Sequence, residues 1–366
     1  MKYISIILTA ILISCSVKES HHVSFPVSTS YDEFGAFTDN VSHKEYVFFA
    51  KRNFNPHLKV FDSKGTLIDS VSLQRAESVL GSISKVWMTA MDSIFAFSTQ
   101  HQTKICINRD GESVFTDNYK HKVEDSNGNQ YDLYPPFLHK MDMTTNSQIV
   151  YTTWWTGNRH LTEEPKRSLE SINNHIRKGY LLSNGDDLFG MKFVDIVELK
   201  ELPKSIFLPY YKAIYLDNRL FFITYYSRYL YELTSNLSIK RTIKLIPSEH
   251  SIPTPISIVD NDPQMDEKES QLDVQITKEC FISNVLYCAD TEEMIVITKT
   301  KESKEDLFIY PFKIEIWDRD FTNIKQKIKF DTYNHYPASS FVLENRLYIE
   351  KKTDAYTEKE FEVISL

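Results

Sequence analysis

The sequence predicts an all-β protein assembled from one short repeated unit. Aromatic residues make up 13% of its 366 residues, whereas only nine are glycine. Such a composition is typical of pleated sheets whose surfaces are filled by Tyr and Phe side chains. A polar turn followed by a short apolar strand recurs along the chain, and helical periodicity is nearly absent. The six copies of this unit are Lys44–Phe49, Asp92–Phe97, Asn146–Tyr151, Asp217–Ile223, Glu292–Ile297 and Glu344–Ile349.

The spacing of these units predicts a β-propeller. Most units are followed by an alternating strand and a polar turn such as Asp62–Gly65 or Asn108–Gly111, which indicates consecutive hairpins. The strands of the six units start at positions 45, 92, 148, 219, 293 and 345. Because a four-stranded blade takes roughly 40 to 50 residues, short intervals fit one blade and long intervals fit a blade with an insertion. We predict six blades, or seven if residues 116–134 or the second insertion hold extra strands.

Two insertions are expected. The first, at about 156–179, opens with the helix-start signal Thr162–Pro165 and continues with Leu169, Ile172 and Ile176 at helical spacing, so it predicts a small helix. The second, at about 247–273, is rich in proline and acidic residues and predicts a long loop.

The two ends of the chain are expected to close the ring. The last unit is one strand short of a blade, and His22–Val27 is an apolar segment able to supply the missing outer strand. Pro26 suits an edge position, where one N–H stays unpaired. This join would cover an otherwise open strand edge.

The first fifteen residues predict export and lipid attachment. Lys2 precedes an apolar run from Ile4 to Ile13, which is too short for a permanent membrane span and is typical of a cleaved signal. The run ends in Leu12-Ile13-Ser14-Cys15, the pattern of a bacterial lipobox. We expect a signal peptide over residues 1–14, lipid on Cys15 with a tether to residue 21, and a propeller over 22–366. A signal peptide with a chance cysteine is the alternative.

Composition and motifs exclude several functions. The net charge of −8 disfavours a nucleic-acid partner. Every glycine lies at or before Gly190, and neither GxGxxG nor GxxxxGK[ST] occurs, so no nucleotide cofactor is expected. The acidic run Asp260–Glu267 lacks the central Gly of a calcium loop, and no metal or nucleophile motif is found. The odd set of Cys106, Cys280 and Cys288 is interpreted as buried and unpaired.

The lipobox Leu12-Ile13-Ser14-Cys15 and the repeated strand pattern together resemble a known group. The chain is similar to the lipid-anchored six-bladed β-propeller lipoproteins of unknown function found in Bacteroidetes-type bacteria, within the TolB-like propeller superfamily. The resemblance implies a fold and a place in the cell envelope, and it carries over no catalytic residue. Ser16 after the anchor favours the outer membrane, with the side of that membrane left open.

One end of the predicted propeller concentrates aromatic and basic residues. It holds the connections between the second and third strand of each blade and the crossings to the next blade. The candidate ligand-binding residues are Arg52, Tyr134, Trp154, Trp155, Arg159, Tyr210, Tyr226 and Arg228. Aromatic rings that stack and guanidinium groups that offer forked hydrogen bonds suit a glycan, a peptide or an anionic ligand. Structural roles for these aromatics between blades, and solvated positions for the arginines, stay open.

The sequence is compatible with three functions. The first is a non-catalytic module, held at the membrane by the lipid on Cys15, that binds a ligand or protein. The alternative is a saccharide-active hydrolase or lyase that uses carboxylates such as Asp32 and Glu33. The third is a protein-binding scaffold whose helix near Leu169–Ile176 contacts a membrane partner.

Overall fold

A computed structural model defines the fold. It describes residues 20–28, 30, 31, 33–98, 101, 103–118, 122–124, 130–132, 138–143, 149–153, 178–182, 194, 195, 211–217, 219–224, 227–234, 239–253, 263–303 and 308–366. In this part of the chain the strands form six four-stranded antiparallel sheets and one two-stranded sheet. The two described helices are α1 (Gln74–Leu80) and α2 (Met265–Lys278).

The strands follow the chain in sheet order after the first one, β1 (Ser20–Phe25). Sheet 1 contains β2 (Glu33–Thr38), β3 (Glu45–Lys51), β4 (His57–Phe61) and β5 (Leu67–Ser72). Sheet 2 contains β6 (Lys85–Ala90), β7 (Ser93–Ser98), β8 (Thr103–Ile107) and β9 (Ser113–Asn118). The pair β10 (Lys122–Glu124) and β11 (Gln130–Asp132) follows.

The remaining sheets repeat the same order. Sheet 3 contains β12 (Leu138–Met143), β13 (Ile149–Thr153), β14 (Lys178–Leu182) and β15 (Val194–Asp195). Sheet 4 contains β16 (Tyr211–Leu216), β17 (Arg219–Thr224), β18 (Tyr229–Leu233) and β19 (Ile239–Lys244). Sheet 5 contains β20 (Ile282–Cys288), β21 (Glu293–Lys299), β22 (Phe312–Asp318) and β23 (Ile324–Phe330). Sheet 6 contains β24 (His335–Leu343), β25 (Arg346–Lys351) and β26 (Lys359–Ser365), with β1 as its outer strand.

The sheets form an all-β propeller, and in the described residues five contacts between sheets are made by first strands. Strand β2 contacts β6, β12 contacts β16, β16 contacts β20, and β20 contacts β24. Strand β24 in turn contacts β2, so the last sheet meets the first. The six apolar units found in the sequence correspond to β3, β7, β13, β17, β21 and β25, the second strand of each sheet. The described side chains of β3, β7, β17, β21 and β25 are largely buried, and their apolar character follows from this burial on both faces of the sheet.

The predicted closure by the N-terminal strand is confirmed. Strand β1 pairs antiparallel with β26 from Ser20 opposite Ile364 to Phe25 opposite Lys359. The observed strand begins two residues earlier than the predicted segment and ends just before Pro26. The Phe25 ring is fully buried, and its centroid lies 5.1 Å from that of Phe49 in sheet 1 and 5.5 Å from that of Phe361 in sheet 6. Strand β1 therefore joins the two sheets through packing as well as pairing.

Carboxylates of sheet 1 add polar links to both neighbours. Glu33 Oε2 accepts the backbone N–H of Val86 at 2.7 Å, and Asp39 Oδ1 accepts that of Met91 at 3.0 Å, both in or beside sheet 2. On the other side, the Glu45 carboxylate accepts the backbone N–H of Glu344 beside sheet 6. Hydrogen bonds to a charged acceptor are stronger than neutral ones. The bond from Met91, the largest cause, lowers the pKa of Asp39.

The polar turns between the third and fourth strands share one geometry. The Asp62 carboxylate accepts the backbone N–H groups of residues 64 and 66, and Asn108 Oδ1 accepts those of 110 and 112. These side chains replace strand pairing at the turn. Each turn then needs a left-handed residue, which is Gly65 (φ 82°) in sheet 1 and Gly111 (φ 80°) in sheet 2. A methyl group on Gly65 would collide with the carbonyl oxygen of Ser24 on β1.

The second insertion departs from its prediction as a long loop. Its end folds into α2, a 14-residue helix that begins after Pro263 and Gln264. All the prolines of this segment precede the helix, and from Met265 onward neither Pro nor Gly interrupts it. Asp266 and Glu267 in the first turn and Lys278 in the last turn match the helix dipole. The helix predicted for the first insertion, Leu169–Ile176, lies outside the described residues.

The short helix α1 has no counterpart in the predictions; it buries Ala76 and Leu80 and ends at Gly81, whose φ of 69° terminates the helix. Cys106, Cys280 and Cys288 are buried and unpaired, as predicted.

Replacing Gly65 by Ala should destabilise the fold. The left-handed backbone costs a residue with a Cβ about 1 kcal/mol or more, and the clash with Ser24 adds about 1–3 kcal/mol. Gly111→Ala should cost less, because its added Cβ would lie 3.0 Å from Ser72 O, where a small shift relieves the contact. Lys64→Ala, in the same turn, is the matched control. Urea unfolding would measure all three, and equal midpoints for Gly65→Ala and Lys64→Ala would refute the steric role.

Removal of β1 should open the ring. A chain that begins at Thr29 lacks the strand paired with β26 and the Phe25 ring, so it should melt far below a chain that begins at Ser16, or aggregate. Phe25→Ala in the longer chain isolates the packing part and should cost about 3–5 kcal/mol. Calorimetry of the three proteins tests this, and equal melting temperatures for the two chain lengths would show that β1 is only a tether.

Candidate functional site

The two ends of the propeller differ in the connections that they carry. We call the loop face the end that holds the connections from second to third strands and the crossings between sheets. In the described part of the chain it includes residues 52–56, 73–84, 245–253, 300–303, 331–334 and 352–358. The opposite end, the turn face, holds the hairpin turns such as 39–44, 62–66, 108–112 and 319–323.

Two of the predicted site residues lie in the described part of the chain, and both donate hydrogen bonds to backbone carbonyl oxygens of neighbouring segments. Arg52 Nη1 donates to the carbonyl oxygen of Ser84, which ties a sheet 1 loop to the start of sheet 2. Arg228 Nη1 donates to Pro247 O at 2.6 Å, and its own carbonyl accepts the N–H groups of Leu245 and Ile246. These contacts fix the loop face in shape. The predicted site residues Tyr134, Trp154, Trp155, Arg159, Tyr210 and Tyr226 lie outside the described residues, as do Cys15 and Asp32.

Three aromatic rings on the loop face are strongly exposed, and the sequence prediction missed them. Phe54 is 88% exposed in the β3–β4 loop, Phe308 is 65% exposed in the β21–β22 loop, and Tyr356 is 80% exposed in the β25–β26 loop. These are corresponding loops in sheets 1, 5 and 6, which are consecutive around the ring because sheet 6 contacts both others. The sequence feature that could have identified these rings is an aromatic residue in the polar stretch between a second and a third strand.

The loop that carries Phe54 keeps an unfavourable backbone conformation. Phe54 and Asn55 both have left-handed φ angles, of 53° and 65°, which bulky residues rarely adopt. The loop is held in place from α1, because Gln74 Nε2 donates to Asn55 Oδ1 at 2.9 Å and Leu73 N donates to Pro56 O at 2.9 Å. A strained loop that is fixed at several points presents its exposed ring in a defined position.

A hydrogen-bonded pair of a buried tyrosine, Tyr31, and a half-buried histidine, His57, supports the same loop. His57 Nδ1 donates to Asn55 O at 2.9 Å, so in the neutral ring Nε2 is left as an acceptor for the Tyr31 hydroxyl. Burial raises the pKa of Tyr31 to about 12, so its hydroxyl keeps its proton at neutral pH. The Lys59 ammonium lies 5.6 Å from the centroid of the Tyr31 ring. The Tyr31 hydroxyl is thus connected through the His57 ring to the backbone carbonyl of Asn55. This geometry gives the pair a role in positioning the Phe54 loop.

Residues around the central axis are also engaged with backbone or with one another. Glu33, a candidate carboxylate of the saccharide-active alternative, accepts the Val86 N–H. Asn284 Nδ2 on β20 donates to Ser340 Oγ on β24 at 3.0 Å, and Ser340 Oγ donates to Pro337 O at 3.0 Å. These bonds link the first strands of sheets 5 and 6. Within the described ranges, no group of three His, Cys, Asp or Glu side chains has the geometry to hold a metal.

Helix α2 is fixed to the loop face by a buried lysine. The Lys299 side chain is fully buried, and its Nζ donates to Thr277 O at 2.5 Å and to Ile276 O, two carbonyls of the last helical turn. The ring centroids of Phe281 and Tyr310 both lie 5.3 Å from this nitrogen. Burial lowers the pKa of Lys299 to about 8. None of the helices in the described segments is long and apolar enough to cross a membrane.

Comparison with known proteins supports the fold alone. No family model matches the chain, and no curated protein is similar to it. Among solved structures, the chain is similar to a DUF4221 family member from Bacteroides vulgatus, with 14% identity, 96% of this chain and 98% of that chain covered, and a TM-score of 0.66. A protein from Bacteroides fragilis described as exported has 8% identity, 96% and 98% coverage, and a TM-score of 0.46. The Pan2 WD40 domain of Neurospora crassa has 8% identity, 90% and 80% coverage, and a TM-score of 0.40.

The buried Lys299 should make stability depend on pH in alkaline solution. Its pKa is about 8 in the folded protein against 10.5 for the unfolded chain, so between these values the unfolded chain holds a proton that the folded chain has lost. Stability therefore rises with pH across this window, by about 2 kcal/mol between pH ~8 and pH ~9.5. Lys299→Met should remove this rise. Lys301→Met, at an exposed position two residues on, is the control, and parallel pH curves for wild type and Lys299→Met would contradict the assignment.

Proposed function

We propose that this chain is a non-catalytic binding module, tethered to the membrane through lipid on Cys15, that uses its loop face to bind a partner. The observation that carries the proposal is the display of Phe54, Phe308 and Tyr356 on corresponding loops of three consecutive sheets. Large exposed rings are unfavourable in water, and contacts of this kind dominate the affinity of binding surfaces.

The sequence around these rings supports a partner that combines apolar and polar groups. Lys51 and Arg52 precede Phe54, and Lys351 and Lys352 precede Tyr356. The predicted ligand-binding residues Trp154, Trp155 and Tyr226 fall in the corresponding connections of sheets 3 and 4, so they extend the same pattern around the face. A glycan, a peptide or a protein surface are the candidate partners, and the breadth of a face that spans several sheets favours an extended one.

The saccharide-active alternative gains nothing from the geometry. Its described carboxylate, Glu33, accepts a backbone hydrogen bond that links sheets 1 and 2, so its position is accounted for by the fold. The protein-binding scaffold that uses the helix near Leu169–Ile176 remains a proposal, since that segment lies outside the described residues.

The proposed cellular location rests on the first residues of the sequence. The apolar run and the Leu12–Cys15 motif support export and lipid attachment, and Ser16 supports the outer membrane. We further propose one ring of six blades, a propeller of the TolB-like type, which agrees with six four-stranded sheets in the described residues and with the contact between the first and last sheets.

Removal of two exposed rings should abolish partner binding. Glycan and peptide arrays probed with the wild-type protein would supply ligands, whose affinities are then measured for Phe54→Ala/Tyr356→Ala. Each ring is expected to contribute about 1.4 kcal/mol, so the double variant should bind about a hundredfold more weakly. Both side chains are exposed, so the melting temperature should not change.

Val41→Ala is the matched control, because Val41 is 85% exposed on the turn face. Unchanged affinity in the double variant, or an equal loss in Val41→Ala, would overturn the loop-face proposal. Turnover of any array glycan by the wild type would favour the hydrolase or lyase instead. Fractionation of cells that carry Cys15→Ser tests the tether separately, since this variant should leave the membrane fraction.

A further inference from the structure

The outer strands of the propeller differ in how their free edges are protected. The edge of an outer strand offers unpaired N–H and C=O groups that pair readily with another strand, and charged residues, especially Lys, prevent this. Strand β19 carries Lys240, Arg241 and Lys244, and β23 carries Lys325, Lys327 and Lys329. Both strands are therefore protected against pairing with a second protein.

Strands β5 and β9 lack this protection. Neither contains Lys, Arg or Pro, and both expose apolar side chains. Leu67 and Ile68 on β5 are just under half exposed, while Val114 on β9 is 60% exposed and Phe115 is 41% exposed. Exposed edges without basic residues or proline are sites of strand addition.

We propose that β9 is the interface of a symmetric dimer, in which the β9 strands of two copies pair antiparallel and join two four-stranded sheets into one of eight strands. The sequence of β9, Ser-Val-Phe-Thr-Asp-Asn, is compatible with itself in this arrangement. When one edge pairs with its own copy, the two-fold axis passes through a residue, because directly opposite residues must turn their backbone groups the same way. Pairing about Phe115 sets Phe115 opposite its copy and Val114 opposite Thr116, so no like charges face each other there. A two-fold interface of this kind closes on itself.

The same pairing is disfavoured for the protected strands. In β23, pairing about the centre would set Lys325 opposite Lys329 and Lys327 opposite its own copy. Like charges directly opposite one another destabilise a sheet. The second copy is therefore directed to an edge without basic residues.

The turn of sheet 2 reaches strand β5, which makes the β5 edge less available for pairing. Arg109 Nη2 in the β8–β9 turn lies 2.9 Å from Asp69 Oδ2 on β5. At the end of the same strand, Gly111 lies close to Ser72 O. The chain itself thus occupies part of the β5 edge.

The apolar group on β9 is held in place before association. The Phe115 ring packs edge-on against Phe95 on β7 at 6.1 Å between centroids, and the Lys104 ammonium lies 5.4 Å from its centroid. A side chain that is already ordered loses little entropy on binding. The β9 edge lies on the circumference of the ring, so dimerisation leaves the loop face accessible and does not depend on the proposed function.

Sedimentation velocity of a chain that begins at Ser16 tests the proposal. This chain keeps every described strand and lacks the proposed signal and lipid site. A concentration-dependent dimer is expected. Val114→Lys, which copies the protection found in β23, should weaken dimerisation at least tenfold, about 1.4 kcal/mol. Leu67→Lys makes the same change on β5 and should leave the dimer intact.

Several outcomes would overturn the dimer. One is a monomer at all protein concentrations up to about 100 times a micromolar dissociation constant. The others are larger assemblies, or a Leu67→Lys variant that weakens the dimer as much as Val114→Lys does. Circular dichroism confirms that each variant folds. If Val114→Lys does not fold, Thr116→Lys places the charge on the same strand at another exposed position and decides the question.

Discussion

The sheets of this propeller pack against one another in sequence, so the fold depends on the contact between the first and last sheets. Strand β1 links these two sheets covalently, because it pairs with β26 in sheet 6 and is followed along the chain by β2 of sheet 1. Phe25 packs against rings of both sheets, and Glu45 accepts a backbone hydrogen bond from the far end of the sequence. Without this contact, two large apolar sheet faces would meet water.

The closed ring determines what the two ends of the propeller can do. The turn face is formed by short Asx turns whose side chains satisfy their own backbone, which leaves little variable chemistry there. Connections on the loop face are longer, and they are held by Arg52, Arg228 and Lys299, whose donors are directed at backbone carbonyl oxygens. A rigid support for exposed side chains suits a binding surface better than a mobile loop does.

The circumference of the ring is a second surface on which the sheets differ. Four-stranded sheets always leave one outer edge, and the chain protects those of β19 and β23 with basic residues but has none on β9. A partner on the loop face and a copy at the β9 edge would therefore occupy separate parts of the molecule. Association through both would present two loop faces in one assembly.

The sequence by itself determined the class of fold, the second strand of each sheet and the closing strand, because alternation and polar turns are local signals. It also indicated that Cys106, Cys280 and Cys288 are buried. Only the tertiary structure decided that Arg52 binds the Ser84 carbonyl, that Lys299 ends α2, and that the Phe54 ring stays in solvent. Each of these contacts depends on groups that are distant in the chain. The residue type limits which contacts a side chain can make, and the packing of the sheets determines which of them form.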